Sequence, residues 1–153
     1  MELIIQGIPE EFCLACKGCC RFSQPQSVWI PRLLQEEVPV LQKINIILLP
    51  NQTTEYYCEF LDTTTNQCRI YKQRPFDCQL YPFVLLGKDN KVFLAVDPQC
   101  LFVQQFGGRL EFEAFSRQLL HYLNTRLLKE IIRRNPQVVQ DYPNVKVIGE
   151  IIF

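Results

Sequence analysis

The feature that most constrains this chain is a run of four cysteines close to its N-terminus. Cys13, Cys16, Cys19 and Cys20 follow one another as C-x2-C-x2-C-C within eight residues. Two residues between ligands let the backbone curl so that neighbouring thiolates converge on one centre. The first three have the spacing by which bacterial ferredoxins supply three ligands to an iron–sulfur cube. The run therefore predicts a metal site, without selecting iron over zinc.

Later cysteines extend this set. The total rises to eight with Cys58, Cys68, Cys78 and Cys100. All eight are candidate metal ligands, and eight thiols are enough for two sites of four. Because adjacent side chains tend to point apart, Cys19 and Cys20 are expected to serve different metals or opposite sides of one cluster. A single centre is the alternative, and Cys20, Cys58 or Cys100 could then be a small buried hydrophobe.

The N-terminus and the charge balance narrow the function classes. The first eleven residues have no basic flank, long apolar run or cleavage site, so they do not predict a secretory signal. The longest apolar stretch, residues 44–49, is far short of the ~20 residues that a membrane helix needs. We therefore expect a cytoplasmic protein that does not enter a membrane, in which clustered thiols bind metal more often than they form disulfides. The 16 basic and 16 acidic residues cancel, so nucleic-acid binding driven by bulk charge is not expected.

The hydrophobic pattern predicts a single α+β domain over residues 1–153. We expect a small irregular domain, stapled by metal, in which residues 13–100 form the cysteine-cluster core. Apolar runs on either side of the turn at 87–91 predict a hairpin, and a second, shorter hairpin is expected around 63–66. Residues 109–153 are predicted to form one long amphipathic helix, centred on 111–134, followed by a closing strand.

Two further local predictions concern the N-terminal half. The density of cysteine and glycine in residues 12–23 predicts a tight loop and neither helix nor strand. After this loop, a helix is expected to begin at Pro31, because Leu33, Leu34, Val38 and Leu41 recur at helical spacing.

The later cysteines stand in a distinctive block. Residues 58–62 read CEFLD, and residues 68–83 read CRIYKQRPFDCQLYPF. Together with C-x2-C-x2-C-C, these segments resemble the zinc- or iron-chelating CxxCxxCC cysteine-cluster family over roughly residues 13–100. That family includes a domain similar to one in flagellin lysine-N-methylases, for which an iron–sulfur cluster is implied. The resemblance implies metal binding and leaves both the metal and any reaction open.

Basic residues accompany the cysteines along the chain. The set comprises Lys17, Arg21, Arg69, Lys72 and Arg74. Four thiolates around a zinc ion or a [4Fe–4S]2+ cube are formally dianionic, so nearby cations would lower the cost of the site. Arg74 precedes Pro75 inside the family block and is the candidate for a fixed hydrogen-bonding role at the cofactor. For the other basic residues, a solvated basic face is an equally good reading.

These observations lead to two function hypotheses. The first is an iron–sulfur protein, most simply with a [4Fe–4S] cluster, for electron transfer or as part of a protein-modifying, methyl-transfer system. The alternative is a zinc-thiolate module that is structural or serves as an interaction platform, without catalysis. Either would have a protein partner or protein substrate. No residue stands out as catalytic, and His121, the single histidine, fits a structural or surface position in the predicted helix.

Overall fold

The computed structural model describes residues 7–16, 19–48 and 54–153, which form an α+β fold. Its helices are α1 (Glu10–Ala15), α2 (Val38–Leu41), α3 (Phe76–Leu80), α4 (Leu101–Phe106), α5 (Leu110–Leu123) and α6 (Arg126–Arg134). Its strands are β1 (Arg21–Phe22), β2 (Ile46–Leu48), β3 (Tyr56–Cys58), β4 (Leu61–Asp62), β5 (Gln67–Cys68), β6 (Phe83–Lys88), β7 (Lys91–Val96), β8 (Val139–Gln140) and β9 (Lys146–Ile151). Short 3-10 helices lie at Tyr71–Gln73 and Pro136–Val138.

A four-stranded sheet with the order β8-β6-β7-β9 carries the largest core. β6 and β7 form the predicted hairpin, and β9 pairs antiparallel with β7 as the predicted closing strand. At the tip of the hairpin, Asp89 and Asn90 have φ values of 52° and 58°. Two consecutive left-handed residues are what a tight type I′ turn requires, and aspartate and asparagine tolerate them well. Both of these strand predictions are confirmed.

Both faces of this sheet are covered by other side chains. Successive residues of β6 point to opposite faces, so each face receives two of its buried residues. Phe83 and Leu85 belong to the main core, which includes buried residues of α5 and α6. Val84 and Leu86 point to the other face, where they join Tyr142 in a smaller cluster. The four-residue run of buried side chains in β6 thus has a helical layer on one face, whereas Tyr142 and the partly buried Val28 and Trp29 pack on the other.

The prediction of one long C-terminal helix is wrong, because the helical pattern is divided between α5 and α6. The break falls at Asn124, whose side chain donates to the carbonyls of Leu120 and Glu150 at 3.1 and 3.3 Å. The Asn124 Oδ1 atom also accepts the amide of Ile152 at 2.8 Å. These bonds fasten the end of α5 to β9, and Thr125 then occupies the N-cap position before α6. Periodicity alone does not reveal this break, since apolar residues continue at helical spacing through it.

The N-terminal half differs from the sequence prediction in two places. Residues 12–23 are not only loop, since they include most of α1 and all of β1. The helix expected from Pro31 is reduced to α2, because the preceding backbone bonds to side chains. The amide of Leu34 donates to Glu37 Oε2 at 2.8 Å, and that of Gln35 donates to Asn135 Oδ1 at 2.7 Å. Backbone donors used in this way are not available for helical hydrogen bonds.

The small strands form two further sheets in this half of the chain. β1, β3 and β2 form a three-stranded sheet, and β4 pairs with β5. The β4–β5 pair confirms the predicted short hairpin around residues 63–66. β3 leaves that hairpin and pairs instead with β1 and β2.

Candidate metal centre

Seven of the eight cysteines line one cavity of about 490 Å³. They are Cys13, Cys16, Cys19, Cys20, Cys58, Cys68 and Cys78. Arg74, the predicted cofactor-contacting residue, lines the same cavity. The chain therefore brings together thiols that are up to 65 positions apart in the sequence (78 minus 13).

Backbone pairing joins the first cysteine segment to the later ones. Cys20 lies directly before β1 and Cys58 ends β3, and the Cys58 amide donates to the Cys20 carbonyl at 3.0 Å. The β4–β5 hairpin ends at Cys68, and its turn is tied to the first segment because Asn66 donates to the Cys16 carbonyl at 3.0 Å. Main-chain bonds thus hold these cysteines near one another.

Helices present two of the other thiols. α1 carries Cys13 and begins after Pro9, with Glu10 and Glu11 in its first turn, where negative charge is favourable. Phe12 on this helix packs edge-on against Phe102 of α4, with ring centroids 5.2 Å apart. α3 follows Pro75 and carries Cys78. A helix as short as α1 has little stability of its own, so this ring contact helps to hold it in place.

Cys19 and Cys20 do not point apart as the sequence led us to expect. Their Sγ atoms lie 3.9 Å apart, which is a weak hydrogen bond in which either sulfur could donate. The pKa of Cys19 is raised well above its ordinary value, first by this bond and then by desolvation. Because Cys19 is exposed as a residue, the contact with Cys20 is the main cause of this raised pKa. Both sulfurs are therefore close enough to bind the same metal ion.

Four of the other cavity thiols have raised pKa values, which favours their neutral form. Burial, followed by the Cys19 thiol, raises the pKa of Cys13 to about 11. Burial is also the main reason why the pKa values of Cys58, Cys68 and Cys78 are raised. Thiolates would repel one another here, and a metal cation would remove that cost by supplying positive charge among them.

Arg74 supplies part of the positive charge. Its guanidinium acts against burial and against the neighbouring thiols, because it lowers the pKa values of Cys13, Cys19 and Cys68. Arg74 Nε donates to the Tyr71 carbonyl at 2.9 Å, and the guanidinium carbon lies 3.8 Å from the centroid of the Tyr71 ring. The side chain is thus fixed beside the thiols, which is the arrangement expected of a residue that would contact a bound anionic cluster.

Cys100 is the cysteine that does not line the cavity. It is buried, and it occupies the N-cap position of α4. Burial raises its pKa, whereas the amides of Phe102 and Val103 lower it. The thiol remains near the cluster, since it contributes to the raised pKa of Cys13. A role as a ligand and a role as a small hydrophobe both remain predictions for Cys100.

The thiols line one cavity, but the described side chains are not arranged as a complete set of ligands around one metal ion. Across residues 7–16, 19–48 and 54–153, no three cysteine, histidine, aspartate or glutamate side chains are arranged so that they could hold a metal ion. The donor chemistry nevertheless fits, because cysteine thiolates bind both structural zinc and iron–sulfur clusters. His121 is exposed on α5. Lys17, one of the predicted nearby cations, lies outside the described residues.

Asp97 and Tyr142 are among the residues of the cavity wall that the sequence did not predict. Asp97 accepts the hydroxyl of Tyr81 at 2.8 Å and the amide of Gln99 at 2.9 Å. Tyr142 lies 42 positions beyond the last cysteine (142 minus 100) and reaches the cavity from the loop between β8 and β9. No local signal in the sequence marks Tyr142, whereas Asp97 could have been noticed at the end of an apolar strand.

A cavity enclosed by thiols from several chain segments defines a cysteine-cluster protein of the metal-binding class. The family model named CxxCxxCC, described as "Putative zinc- or iron-chelating domain", matches residues 12–101. The chain belongs to this family. The match begins in α1 and ends just after Cys100, so it includes all eight cysteines.

A curated protein of another organism matches part of the chain. An uncharacterized protein of Methanocaldococcus jannaschii, MJ0661, is 35% identical in an alignment of 72 residues that covers 43% of this chain and 40% of that protein. The chain thus matches less than half of that relative's length. No solved structure matches the chain. In the part of the chain that the structure describes, none of the helices has the length and apolar character to cross a membrane.

Proposed function

We propose that this protein holds an iron–sulfur cluster in the thiol-lined cavity and uses it for electron transfer or within a protein-modifying system. The observation that carries the proposal is the convergence of seven cysteines on one cavity of about 490 Å³. This volume is many times the minimum that a single water molecule needs. A single zinc ion replaces roughly one water, whereas a cube of four irons and four sulfides needs several times that space.

The side chains of the cavity have separate roles in this proposal. The cysteine thiolates are the ligands, and the bound cluster supplies one-electron redox chemistry. Arg74 compensates the negative charge of the site from a position fixed by Tyr71. Tyr71, Phe60 and Trp29 also line the cavity. Their rings keep water away from bound sulfur, which influences the reduction potential of a cluster.

One observation favours the alternative, a zinc-thiolate module without catalysis. Two thiolates on a tetrahedral zinc ion with Zn–S bonds of ~2.3 Å lie about 3.8 Å apart. The Sγ atoms of Cys19 and Cys20 are 3.9 Å apart, so these two sulfurs already have the spacing of neighbouring zinc ligands. In this reading, the metal stabilises a surface that a protein partner recognises.

The metal distinguishes the two functions directly. The protein is purified anaerobically, and its iron, zinc and acid-labile sulfide are measured together with its visible spectrum. We expect iron and sulfide in similar amounts and broad absorption near ~400 nm. A colourless protein containing zinc and no sulfide would overturn the iron–sulfur proposal and support the zinc module.

A matched pair of variants tests whether the cavity defines the ligands. Cys78→Ser removes a thiol that lines the cavity, and Cys100→Ser removes the one that does not. We expect Cys78→Ser to lower the bound metal clearly and Cys100→Ser to retain most of it. Equal losses in the two variants would show that the lining of the cavity is not what selects the ligands.

A further inference from the structure

Cys19 and Cys20 are adjacent in the sequence, and the structure places their thiols against each other on the cavity wall. The Sγ atoms are 3.9 Å apart, and the contact is exposed. Among the residues that the structure describes, this is the one hydrogen bond that joins two thiols. Neighbouring side chains in extended backbone point to opposite sides, so the approach depends on the turn that these two residues form. The turn therefore brings together a pair of thiols that a solute can reach.

One member of the pair is held by the backbone, whereas the other is open to solvent. Cys20 is half-buried, and its carbonyl accepts the amide of Cys58 at 3.0 Å, directly before β1 begins. Cys19 is exposed. A disulfide bond needs sulfurs at about 2.05 Å, so the two sulfur atoms would have to approach by about 1.9 Å (3.9 minus 2.05). Rotation of the exposed Cys19 side chain between staggered rotamers supplies a movement of this size.

A disulfide between adjacent residues closes a small ring and is strained. Consecutive Cα atoms lie about 3.8 Å apart across a trans peptide, which is less than the ~4.4–6.8 Å of ordinary disulfides. Strain makes a disulfide easier to reduce, and strained or exposed disulfides are the labile and regulatory ones. A bond between Cys19 and Cys20 would therefore form under oxidising conditions and open again readily under reducing ones.

The same two sulfurs are candidate metal ligands, so oxidation and metal binding compete for them. The thiolate is the form of cysteine that binds metal. A disulfide would remove two of the seven thiols that line the cavity. A metal ion bound to either sulfur would in turn withhold that sulfur from oxidation. The oxidised pair and the metal-loaded cavity are thus mutually exclusive states.

We propose that Cys19 and Cys20 form a reversible disulfide that prevents the cavity from binding metal under oxidising conditions. The oxidant is a small-molecule disulfide such as oxidised glutathione. This inference rests on the proposed function only in taking the thiol-lined cavity as the place where metal binds.

The reaction is a thiol–disulfide exchange in two steps. One thiolate of the pair attacks oxidised glutathione, which forms a mixed disulfide and releases one reduced glutathione. The second thiolate attacks the mixed disulfide, releases the second glutathione and closes the bond between Cys19 and Cys20. Two electrons pass from the pair to glutathione, and the two protons of the pair end on the released thiols. Because the pKa of Cys19 is raised and a thiol attacks as its thiolate, the first attack falls to Cys20.

Trypsin separates this pair from every other cysteine, which makes the bond directly measurable. Cleavage after Lys17 and Arg21 releases residues 18–21, in which Cys19 and Cys20 are the only cysteines. An internal disulfide leaves this peptide two hydrogens lighter and unable to react with N-ethylmaleimide. A bond to any other cysteine joins it to a second peptide, and a mixed disulfide adds the mass of glutathione.

The test begins with the full-length protein, freed of metal anaerobically and equilibrated with oxidised glutathione. After alkylation and digestion, we expect the peptide 18–21 with its internal disulfide, and dithiothreitol should restore both thiols. Loss of groups outside the ligand shell already weakens metal binding about 10–100-fold, so the oxidised protein should bind metal at least about tenfold more weakly than the reduced protein. A peptide joined to another cysteine, or fully alkylated, would overturn the proposal. Unchanged metal binding by the oxidised protein would also overturn it.

A second measurement keeps the test decisive if the metal-free protein unfolds. The metal-loaded protein is treated with excess oxidised glutathione, and metal release is followed together with the state of the peptide 18–21. We expect the disulfide to appear as the metal leaves. Release of metal while both thiols of this peptide remain reduced would refute the competition.

Variants connect the effect to the pair. Cys20→Ser cannot form the bond, so oxidised glutathione should no longer reduce whatever metal binding this variant retains in its reduced form. Cys100→Ser is the matched control, because Cys100 is buried and does not line the cavity. It should form the 18–21 disulfide as the wild type does. If oxidation weakens metal binding equally in Cys20→Ser and in the wild type, the pair is not the switch.

The metal and sulfide content of the starting sample separates this inference from the proposed function. A zinc protein without sulfide that forms the 18–21 disulfide and then loses its metal would support the switch and contradict the iron–sulfur proposal. An iron–sulfur protein in which this peptide stays reduced would contradict the switch and leave the iron–sulfur proposal intact.

Discussion

Glu37 holds the beginning of α3, the helix that carries Cys78, and Glu37→Gln tests how much that attachment contributes. One oxygen of the Glu37 carboxylate accepts the amide of Phe76 at 2.6 Å, and the other accepts the amide of Leu34 at 2.8 Å. The amide of Phe76 lies in the first turn of α3, where it has no partner within the helix. Glutamine keeps the shape of the side chain but offers one oxygen acceptor instead of two.

The expected loss of stability in Glu37→Gln follows from the hydrogen bond that the substitution removes. A hydrogen bond to a charged group contributes about 1.5–3 kcal/mol, and the substitution removes one of the two and leaves an N–H without an acceptor. Part of this loss is offset, because burial raises the pKa of Glu37 and so penalises its ionised form, which glutamine does not have. We expect the free energy of unfolding to fall by about 1–2 kcal/mol, which lowers Tm by roughly 2–8 °C in a chain of this size.

The assay is denaturant and thermal unfolding of the metal-loaded protein, with Glu36→Gln as the neighbouring control. Glu36 forms an ion pair with Arg134 at 3.2 Å, but its side chain is 41% exposed, so its loss should cost less than about 1 kcal/mol. If Glu36→Gln destabilises the protein as much as Glu37→Gln does, the proposed attachment of α3 is refuted.

The stability difference between the wild type and Glu37→Gln should depend on pH in a direction that the pKa of Glu37 determines. The pKa of Glu37 is raised in the folded protein, so the folded state binds a proton more readily than the unfolded state. The contribution of Glu37 to stability is therefore fully present below the unfolded pKa and is lost as the pH rises through the folded pKa. We expect the stability difference between the wild type and Glu37→Gln to widen as the pH is lowered through this window. A difference that narrows instead would contradict the raised pKa.

Three further predictions concern the metal and the core. Anaerobic removal of the metal should lower Tm substantially in a thermal scan, because ligand bonds join chain segments that bury little apolar surface; an unchanged Tm would contradict this. Leu123→Ala should cost about 2–5 kcal/mol in urea unfolding because Leu123 is fully buried, whereas Leu127→Ala, at a position 58% exposed, should cost much less. Asn124→Ala should destabilise the protein by about 1–3 kcal/mol, since the amide of Ile152 loses its acceptor; hydrogen exchange at that amide should become faster, and unchanged protection would refute the link.

The parts of the fold that the sequence predicted are those whose signals are local. The β6–β7 hairpin has two continuous apolar runs on either side of Asp89 and Asn90, and such a turn needs no distant residue to form. The break at Asn124 depends on bonds to Glu150 and Ile152, which lie more than twenty positions away. Residue spacing within a helical pattern contains no information about such bonds, so the pattern predicted one helix where there are two.

The candidate site also has some residues that the sequence predicted and others that it could not. The cysteines and Arg74 were identified from the sequence because their spacing and motif are compact, and the structure brings seven of the cysteines and Arg74 to one cavity. The orientation of Cys19 and Cys20 was predicted wrongly, since backbone geometry and not adjacency determines where two neighbouring side chains point. Tyr142 could not be predicted, because only the three-dimensional fold places it beside residues far earlier in the chain.

The separation of the thiols along the chain has a consequence for how the protein is made. Fifty-eight positions separate Cys20 from Cys78 (78 minus 20), and a ribosome adds about 5–20 residues per second. The first four cysteines therefore leave the ribosome roughly 3–12 seconds before Cys78 can join them. During that interval they form an incomplete chelating peptide, open to oxidation and to the wrong metal ion. We expect correct metal loading to follow synthesis of the whole cysteine segment, and the first four thiols to need protection until then.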